Sequence, residues 1–395
     1  MTRVLWVTAE PPDFSRSGGS IRQAQLLRAL AKRADIHLLV AGRVQDEHVR
    51  TGLSEVTEVA APGADVRHSR TWWRMQRLRG ALLESDPHEV VVSRAVRASL
   101  AAGLAGVDDH DITIVEHTWL AGLLGRGRAG AWMIDLQQLA LRQAEQALRA
   151  ATRRRTRVIN ALEVTRARRH EAWIAASYDR VFVASAQDQA NFPGSSVVVP
   201  NGADLAAYPK GWRAAPDPDS MLFVGHLAYL PNVEGLIWFC HRVLPLVRAR
   251  RPRAQLQVIG REPVPEVMAL ARLAGVSVAP EAPEIRPYLA AAALEVVPLM
   301  VGSGTRLKAL EALAAGVPLV GTTVGLEGLD LVHGETAMIA DTAEDMAAAV
   351  VRVLEDRATA TGLASAGRTH VEERFGWETI GKSFTDAVLA PATSR

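Results

Sequence analysis

The sequence predicts an α/β protein made of two Rossmann-like domains, each a doubly wound parallel sheet, facing a common cleft. Short apolar runs rich in β-branched residues alternate with helical segments in both halves of the chain. A length of 395 residues is enough for two cores of ordinary size. A turn of linker composition interrupts the pattern midway. Open sheets of this kind bind ligands beyond the carboxyl ends of their strands, so the cleft is the expected site.

Eleven runs are predicted to be strands because they are short, apolar and separated by helical segments. The first half contains Val4–Thr8, Ile36–Val40, Ile112–Val115, Ala131–Asp135 and Arg180–Ala184. The second half contains Met221–Val224, Gln255–Ile259, Val276–Ala279, Leu294–Pro298, Pro318–Gly321 and Ala337–Ala340. Such continuous runs are typical of buried parallel strands joined by right-handed helical crossovers.

The join between the domains is predicted at Val197–Asp204. Pro200-Asn201-Gly202 favours a turn with a residue at positive φ, and Pro209–Ser220 has the composition of a linker. We therefore expect a first domain over residues 1–200 and a second over 201–375. A C-terminal helix at about residues 376–390 is expected to pack back on the first domain.

Composition excludes several classes of protein. The formal net charge is only +2, so the chain as a whole does not resemble a polycation that coats nucleic acid. One cysteine, Cys240, allows neither an internal disulfide nor a cysteine metal site, which fits a reducing compartment. The N-terminus lacks the features of a signal peptide, and no apolar run is long enough to span a bilayer. We expect a cytoplasmic protein, at most peripheral at the inner face of the membrane, of undetermined oligomeric state.

The segment Gly302–Glu311 is the strongest functional signal. A Gly/Ser/Thr turn leads from a strand into a predicted helix, Leu307–Ala315, and helix starts offer free N–H groups and a positive dipole end to phosphate. Arg306 and Lys308 add two cations, and Glu311 shares a helix face with Lys308. The segment therefore predicts a diphosphate site with a carboxylate for ribose hydroxyls, or, alternatively, a solvated helix start.

A second glycine turn follows the first strand. Gly18 and Gly19 would let the backbone approach a ligand, and Ser20 is expected to cap a helix over Ile21–Arg33. An ordinary surface turn is the alternative. The turn lacks the Gly-x-Gly-x-x-Gly pattern, so a dinucleotide fold is poorly supported.

With these features in place, the chain resembles family-4 glycosyltransferases of the GT-B fold. The resemblance covers nearly the whole chain and is densest over residues 197–345. In the second half it is carried by the hinge Pro200–Asp204, by Leu222–Gly225 with Pro231–Glu234, by Arg286–Leu289 with Val297–Leu299, and by Gly302–Glu311, Gly316–Val320 and Gly325–Gly328. In the first half it is carried by Glu116–Thr118 and Met133–Leu136.

The resemblance implies a retaining, metal-independent sugar transfer from a nucleotide sugar, with a UDP- or GDP-sugar favoured as co-substrate and no cofactor. The donor would bind the second domain, and the acceptor, a small molecule or a glycan or lipid, would enter from the first. No nucleic-acid partner is expected. The implied donor-binding residues are Gly18, Gly19, Gly225, Ser303, Gly304, Thr305, Arg306, Lys308, Leu310 and Glu311. Arg306, Lys308 and His117 are the implied catalytic residues, and Asp135 and Gln137 lie on the acceptor side.

Four positions depart from the family pattern. Ser303 stands where the family has the first of two glutamates, and His226 and Pro231 stand where it places a diphosphate-binding Arg and Lys. Gln137 replaces a frequent His. We therefore predict that Arg306 and Lys308 supply the missing charge. His117 is predicted either to contact donor sugar or acceptor, or to be a capping or core residue.

Two acidic triplets could suggest a metal site. Asp109-His110-Asp111 and Asp217-Pro218-Asp219 are interpreted instead as a solvated turn and a linker spacer.

Two arginine-rich segments of the first domain could dock on an anionic membrane. They are Arg67–Arg79, with Trp72 and Trp73, and Arg142–Arg169, with Arg153–Arg155. A solvated helix explains them more simply.

Three functions remain open at this stage. The favoured one is a glycosyltransferase for bacterial envelope glycans or natural products. The alternatives are a nucleotide-sugar epimerase and a non-catalytic subunit that binds nucleotide sugar.

Overall fold

The computed structural model describes residues 1–14, 18–61, 94–123, 129–151, 153–213, 215–280, 282, 284–301 and 306–391. The chain divides into two compact units, residues 1–200 with 378–395, and residues 201–377. The predicted segments Gly302–Thr305 and Arg67–Arg79 lie outside the described residues.

The first unit contains a seven-stranded parallel sheet in the order β3-β2-β1-β4-β5-β6-β7. Its strands are β1 (Thr2–Thr8), β2 (Ala34–Ala41), β3 (Glu55–Val59), β4 (Ile112–Glu116), β5 (Ala131–Leu136), β6 (Arg180–Val183) and β7 (Val197–Val198). Its helices are Gly18–Leu30, Glu47–Arg50, Arg94–Ala105, Ala140–Ala150, Arg154–Ser177 and Ala186–Asn191, with a 3₁₀ helix at Thr118–Leu123. The central strands are buried along their length, which explains why the sequence shows them as unbroken apolar runs.

The second unit contains a six-stranded parallel sheet in the order β10-β9-β8-β11-β12-β13. Its strands are β8 (Asp217–Val224), β9 (Gln255–Gly260), β10 (Val276–Pro280), β11 (Ala292–Val297), β12 (Leu319–Gly321) and β13 (Met338–Ile339). Its helices are Leu230–Trp238, Leu244–Arg250, Pro265–Leu270, Arg286–Ala291, Leu307–Ala314, Ala343–Glu355 and Arg357–Arg374, with a 3₁₀ helix at Leu205–Ala207 and a π-helical turn at Phe239–Val243. Two doubly wound parallel sheets confirm the predicted fold class.

The C-terminal helix, Trp377–Leu389, contributes Phe384 to the core of the first unit. The Phe384 ring lies 5.9 Å from that of Trp6 and 5.0 Å from that of Phe182. Aromatic pairs at these separations stabilise a core beyond the area that they bury. The chain thus returns to its first unit for its last helix.

Two local predictions were wrong. The helix expected from Ile21 begins at Gly18, so Ser20 lies inside it as a buried residue and does not cap it. Asp217-Pro218-Asp219 opens β8 and is not part of a linker. The Asp219 carboxylate pairs with Arg251 at 2.6 Å and with Arg253 at 3.2 Å, so two arginines balance its negative charge.

The arginine-rich helix Arg154–Ser177 is 24 residues long, and its buried positions are Ala167, Glu171 and Ile174. Most of its arginines are exposed, as expected for a solvated helix. Within the described part of the chain, no helix combines the length and apolar character that a membrane span needs.

Candidate functional site

Each sheet has a switch point, where two neighbouring strands continue in opposite directions across the sheet. In the second unit it lies between β8 and β11, and in the first between β1 and β4. Crevices for ligands open beyond the carboxyl ends of such strand pairs, because the connecting helices depart to opposite sides. Most of the described residues predicted to form the site lie at these two points.

Lys308 lies at the switch point of the second unit. It is the second residue of the helix Leu307–Ala314, which follows β11. Its ammonium Nζ donates to Oδ1 of Asn232 at 2.9 Å and lies 4.1 Å from the centroid of the Phe223 ring. Both partners are neutral, so the positive charge is held in place without being cancelled.

Gly225 follows β8 and makes room for this ammonium. A Cβ atom built on Gly225 would lie 2.9 Å from Lys308 Nζ and 2.8 Å from Asn232 Nδ2. The predicted donor-binding residues Gly225 and Lys308 are therefore in direct contact, although they belong to different strand-to-helix connections. Arg306 immediately precedes the helix and is largely buried.

Glu295 is an acidic residue that sequence reasoning missed. It lies within β11, is fully buried, and neither carboxylate oxygen completes a hydrogen bond within the described residues. Burial raises its pKa well above the usual value, while the charge of Lys308 and the nearby backbone N–H of Val224 oppose that shift. An acidic residue inside an apolar strand was the available signal.

Burial also lowers the pKa of Lys308, to about 7, with the charge of Arg306 adding to the effect and Glu295 opposing it. Near neutral pH, Lys308 is therefore a mixture of ammonium and amine. An anion placed beside it would shift it to the ammonium form.

Glu311 lies on the same helix, three residues after Lys308. Its Oε1 accepts a hydrogen bond of 2.6 Å from the hydroxyl of Tyr208. Burial raises the pKa of Glu311, and the hydrogen bond from Tyr208 opposes that shift. Leu310, also predicted to bind donor, has a fully buried side chain in the core, and its backbone N–H donates to the carbonyl of Arg306 at 3.1 Å.

The switch point of the first unit holds a closed ion pair. Arg22 donates to both carboxylate oxygens of Asp135, at 2.7 and 2.8 Å, and both side chains are almost completely buried. Arg22 also donates to the carbonyl of Pro200 at 3.0 Å. The predicted acceptor-side residue Asp135 is therefore engaged by the protein itself.

Gln137 and Glu116 form a second contact there. Nε2 of Gln137 donates to Oε2 of Glu116 at 3.0 Å, and Oε1 of Glu116 makes no hydrogen bond within the described residues. Burial, followed by the charge of Asp135, raises the pKa of Glu116 well above its usual value. A Cβ atom on Gly19 would lie 2.8 Å from Oε1 of Gln137, so Gly19 and Gln137 meet at this point. Gly18 is the first residue of the helix Gly18–Leu30, which also contains Gly19, and it is exposed.

His117 follows β4 with a φ of 68°, in the left-handed backbone region that residues other than glycine rarely adopt. Its backbone N–H donates to the carbonyl of Asp135 at 3.0 Å, and its ring stacks on Trp119 at 5.6 Å. Burial lowers its pKa, which favours the neutral imidazole. Strained backbone at the end of a strand is often retained for function.

Residues 218–356 match the family model described as Glycosyl transferases group 1. A glycogen synthase of Mycobacterium tuberculosis is 28% identical over 240 residues, which are 56% of this chain and 56% of that protein. The chain thus spans about half the length of the glycogen synthases that it matches. A D-inositol 3-phosphate glycosyltransferase of Corynebacterium aurimucosum is 26% identical over 345 residues, 76% of this chain and 79% of that protein.

Solved structures agree on the fold. Sucrose-phosphate synthase from Thermosynechococcus elongatus has a TM-score of 0.67 at 19% identity, covering 98% of both chains. A trehalose-6-phosphate structure from E. coli with bound UDP-2-fluoro glucose has a TM-score of 0.69 at 13% identity, covering 99% of both chains. These findings confirm the GT-B fold, and over residues 218–356 they confirm the resemblance to group 1 glycosyltransferases.

Proposed function

We propose that the chain transfers a sugar from a nucleotide-sugar donor to an acceptor hydroxyl, with retention of configuration and without a metal, as a cytoplasmic member of family 4. A UDP- or GDP-sugar is the donor, and a bacterial envelope glycan or a natural product is the acceptor. The observation that carries this proposal is the Lys308 ammonium, held by neutral partners beside Gly225 at the switch point of the second unit.

The chemistry requires a cation at that point. Cleavage of the bond between the sugar and the diphosphate develops negative charge on the leaving oxygens, and preorganised cations and N–H groups stabilise that charge. Removing one such group from an active site costs ~3 kcal/mol of transition-state stabilisation. We assign this role to Lys308, Arg306 and the N–H groups at the start of the helix Leu307–Ala314.

The contacts of Asp219 and Asp111, one residue from each acidic triplet, also support transfer without a metal. Asp219 is paired with two arginines, and Asp111 accepts a hydrogen bond of 2.8 Å from the backbone N–H of Arg3. Activity that persists after treatment with a chelator would support this part of the proposal, and loss that added divalent cation restores would overturn it.

Donor binding is tested first by thermal shift with nucleoside diphosphates and nucleotide sugars. A stabilising nucleotide selects the donor series, and sugar transfer is then measured over a panel of acceptors, with the anomeric configuration of the product read by NMR. Isomerised donor without an acceptor would indicate an epimerase. Tight nucleotide binding without turnover over the whole panel would indicate a non-catalytic subunit.

Arg306→Ala and Glu311→Ala should each lower turnover at least tenfold while the fold is retained, because each removes a group that holds the donor. The matched controls are Arg272→Ala and Glu373→Ala, since both side chains are exposed on the same unit. Wild-type activity in either Arg306→Ala or Glu311→Ala would contradict the assignment of that residue.

A further inference from the structure

The helix Leu307–Ala314 is held at its C-terminal end by side chains from elsewhere in the second unit. Trp212 Nε1 donates to the carbonyl of Ala315 at 3.0 Å, and Arg213 Nη1 donates to that of Gly316 at 2.5 Å. Arg368 donates to the carbonyl of Ala314. Terminal carbonyls of a helix have no partner within it, so these donors fix its position and direction.

Tyr208 lies shortly before Trp212 and Arg213 in the chain, and its side chain contacts the face of the helix that carries Glu311. Its hydroxyl donates to Oε1 of Glu311 at 2.6 Å, across 103 residues of sequence. Charge-assisted hydrogen bonds of this length are stronger than neutral ones and restrict the carboxylate to one orientation.

Tyr208 is itself firmly held. It is only 3% exposed, and its backbone carbonyl accepts a hydrogen bond of 2.5 Å from Arg368. Its ring packs against Trp212 at 5.2 Å, and the guanidinium of Arg286 lies 5.8 Å from its centroid. Burial raises the pKa of the Tyr208 hydroxyl, so it remains a donor at every working pH.

We infer that Tyr208 is a positioning residue that orients the Glu311 carboxylate for the ribose of a nucleoside diphosphate. This inference rests on the proposed function, and it adds the sequence-based prediction that the Glu311 carboxylate binds the ribose hydroxyls. A carboxylate oxygen can accept more than one hydrogen bond, so the contact with Tyr208 leaves acceptor sites on both oxygens for a pair of ribose hydroxyls. Discrimination between nucleotides with and without those hydroxyls then depends on a side chain that does not touch the ligand.

The test compares UDP with 2′,3′-dideoxyUDP by calorimetry, or the corresponding guanosine pair if the thermal-shift screen selects it. Wild-type protein should bind the ribonucleotide at least tenfold more tightly, because a buried acceptor left without its hydroxyl partners is costly. In Tyr208→Phe the ribonucleotide should lose about tenfold in affinity, the size expected for a charge-assisted hydrogen bond, and the dideoxynucleotide should change less than twofold.

Tyr178→Phe is the matched control. Tyr178 is a buried tyrosine of the first unit whose hydroxyl donates to the carbonyl of Ala121 at 2.7 Å. The Tyr178→Phe variant loses the same hydroxyl group and one buried hydrogen bond, so it should lower stability without changing nucleotide discrimination. Circular dichroism and melting temperature establish that both variants are folded, and phenylalanine preserves the packing of each ring.

A double variant separates positioning from packing. If Tyr208 acts through Glu311, Tyr208→Phe in a Glu311→Gln background should produce almost no additional loss of discrimination. Equal losses for both nucleotides in Tyr208→Phe, or unchanged discrimination, would overturn the inference. Absence of any nucleoside diphosphate binding to wild-type protein would instead overturn the proposed function, and binding without discrimination in wild-type protein would overturn the inference alone.

Discussion

The lowered pKa of Lys308 predicts that nucleotide binding takes up a proton. The pKa of Lys308 is about 7 in the unliganded protein, with burial as the main cause. A bound diphosphate places negative charge beside the ammonium and raises that pKa again. Binding above pH 7 therefore requires a proton from solvent.

The size of the effect follows from that pKa. At pH 8, about one tenth of Lys308 is protonated before binding, so complete protonation in the complex takes up ~0.9 proton. At pH 6 the uptake at this position falls to ~0.1 proton. Affinity should decrease about fivefold from pH 7 to pH 8 and about tenfold per unit beyond, until the pH reaches the pKa of the complex.

The same group affects stability with a definite sign. Between pH 7 and pH 10.5, the unfolded chain holds a proton on Lys308 that the folded protein lacks. The contribution of this group to the free energy of unfolding therefore rises with pH across that window. Affinity for nucleotide and stability of the free protein should change in opposite directions.

The assay is calorimetry at pH 8 in two buffers with different ionisation enthalpies, whose difference in heat gives the number of protons. Lys308→Arg is the control, because a guanidinium keeps the positive charge at every working pH. It should bind nucleotide with far less proton uptake and a flatter pH dependence. Equal uptake by both proteins would place the proton elsewhere, and no uptake by wild-type protein would refute the reasoning.

Two further perturbations test the packing of the switch points. Gly225→Ala places a methyl group 2.9 Å from Lys308 Nζ and should weaken nucleoside diphosphate binding at least tenfold. Gly362→Ala is the control, because its methyl group would have no atom within 4 Å and should leave binding unchanged. Equal affinities of the two variants would contradict the assignment of this contact. Arg22→Met leaves the Asp135 carboxylate buried without its ion-pair partner and should lower the free energy of unfolding by about 3–5 kcal/mol in urea titration; a loss below ~1 kcal/mol would show that the pair is dispensable.

The fold was predictable because its central strands are buried on both faces. All predicted strands are present, with ends shifted by a few residues. The strands that were missed have weak signals: Glu55–Val59 is an edge strand with two glutamates and no fully buried residue, and Val197–Val198 is only two residues long. An apolar run in the sequence indicates a buried strand, so this signal is missing where a strand is exposed or very short.

The candidate site was predictable only as far as local sequence determines it. The residues Arg306, Lys308 and Glu311 follow from one strand-to-helix connection. The partners of Lys308 and Glu311 could not be read from spacing, because Asn232 lies 76 residues from the first and Tyr208 lies 103 residues from the second. Such contacts are set by the order of strands in the sheet, which one sequence does not specify.

The two switch points differ in how their charges are paired, and this difference favours a division of roles. In the first unit, Arg22 and Asp135 neutralise each other in a bidentate pair, so an incoming dianion would have to separate a buried ion pair. Breaking such a pair costs about 3–5 kcal/mol. In the second unit, Lys308 is held by an amide oxygen and an aromatic ring, so an anion can bind without displacing a counter-ion from direct contact. The diphosphate is therefore expected at the second unit.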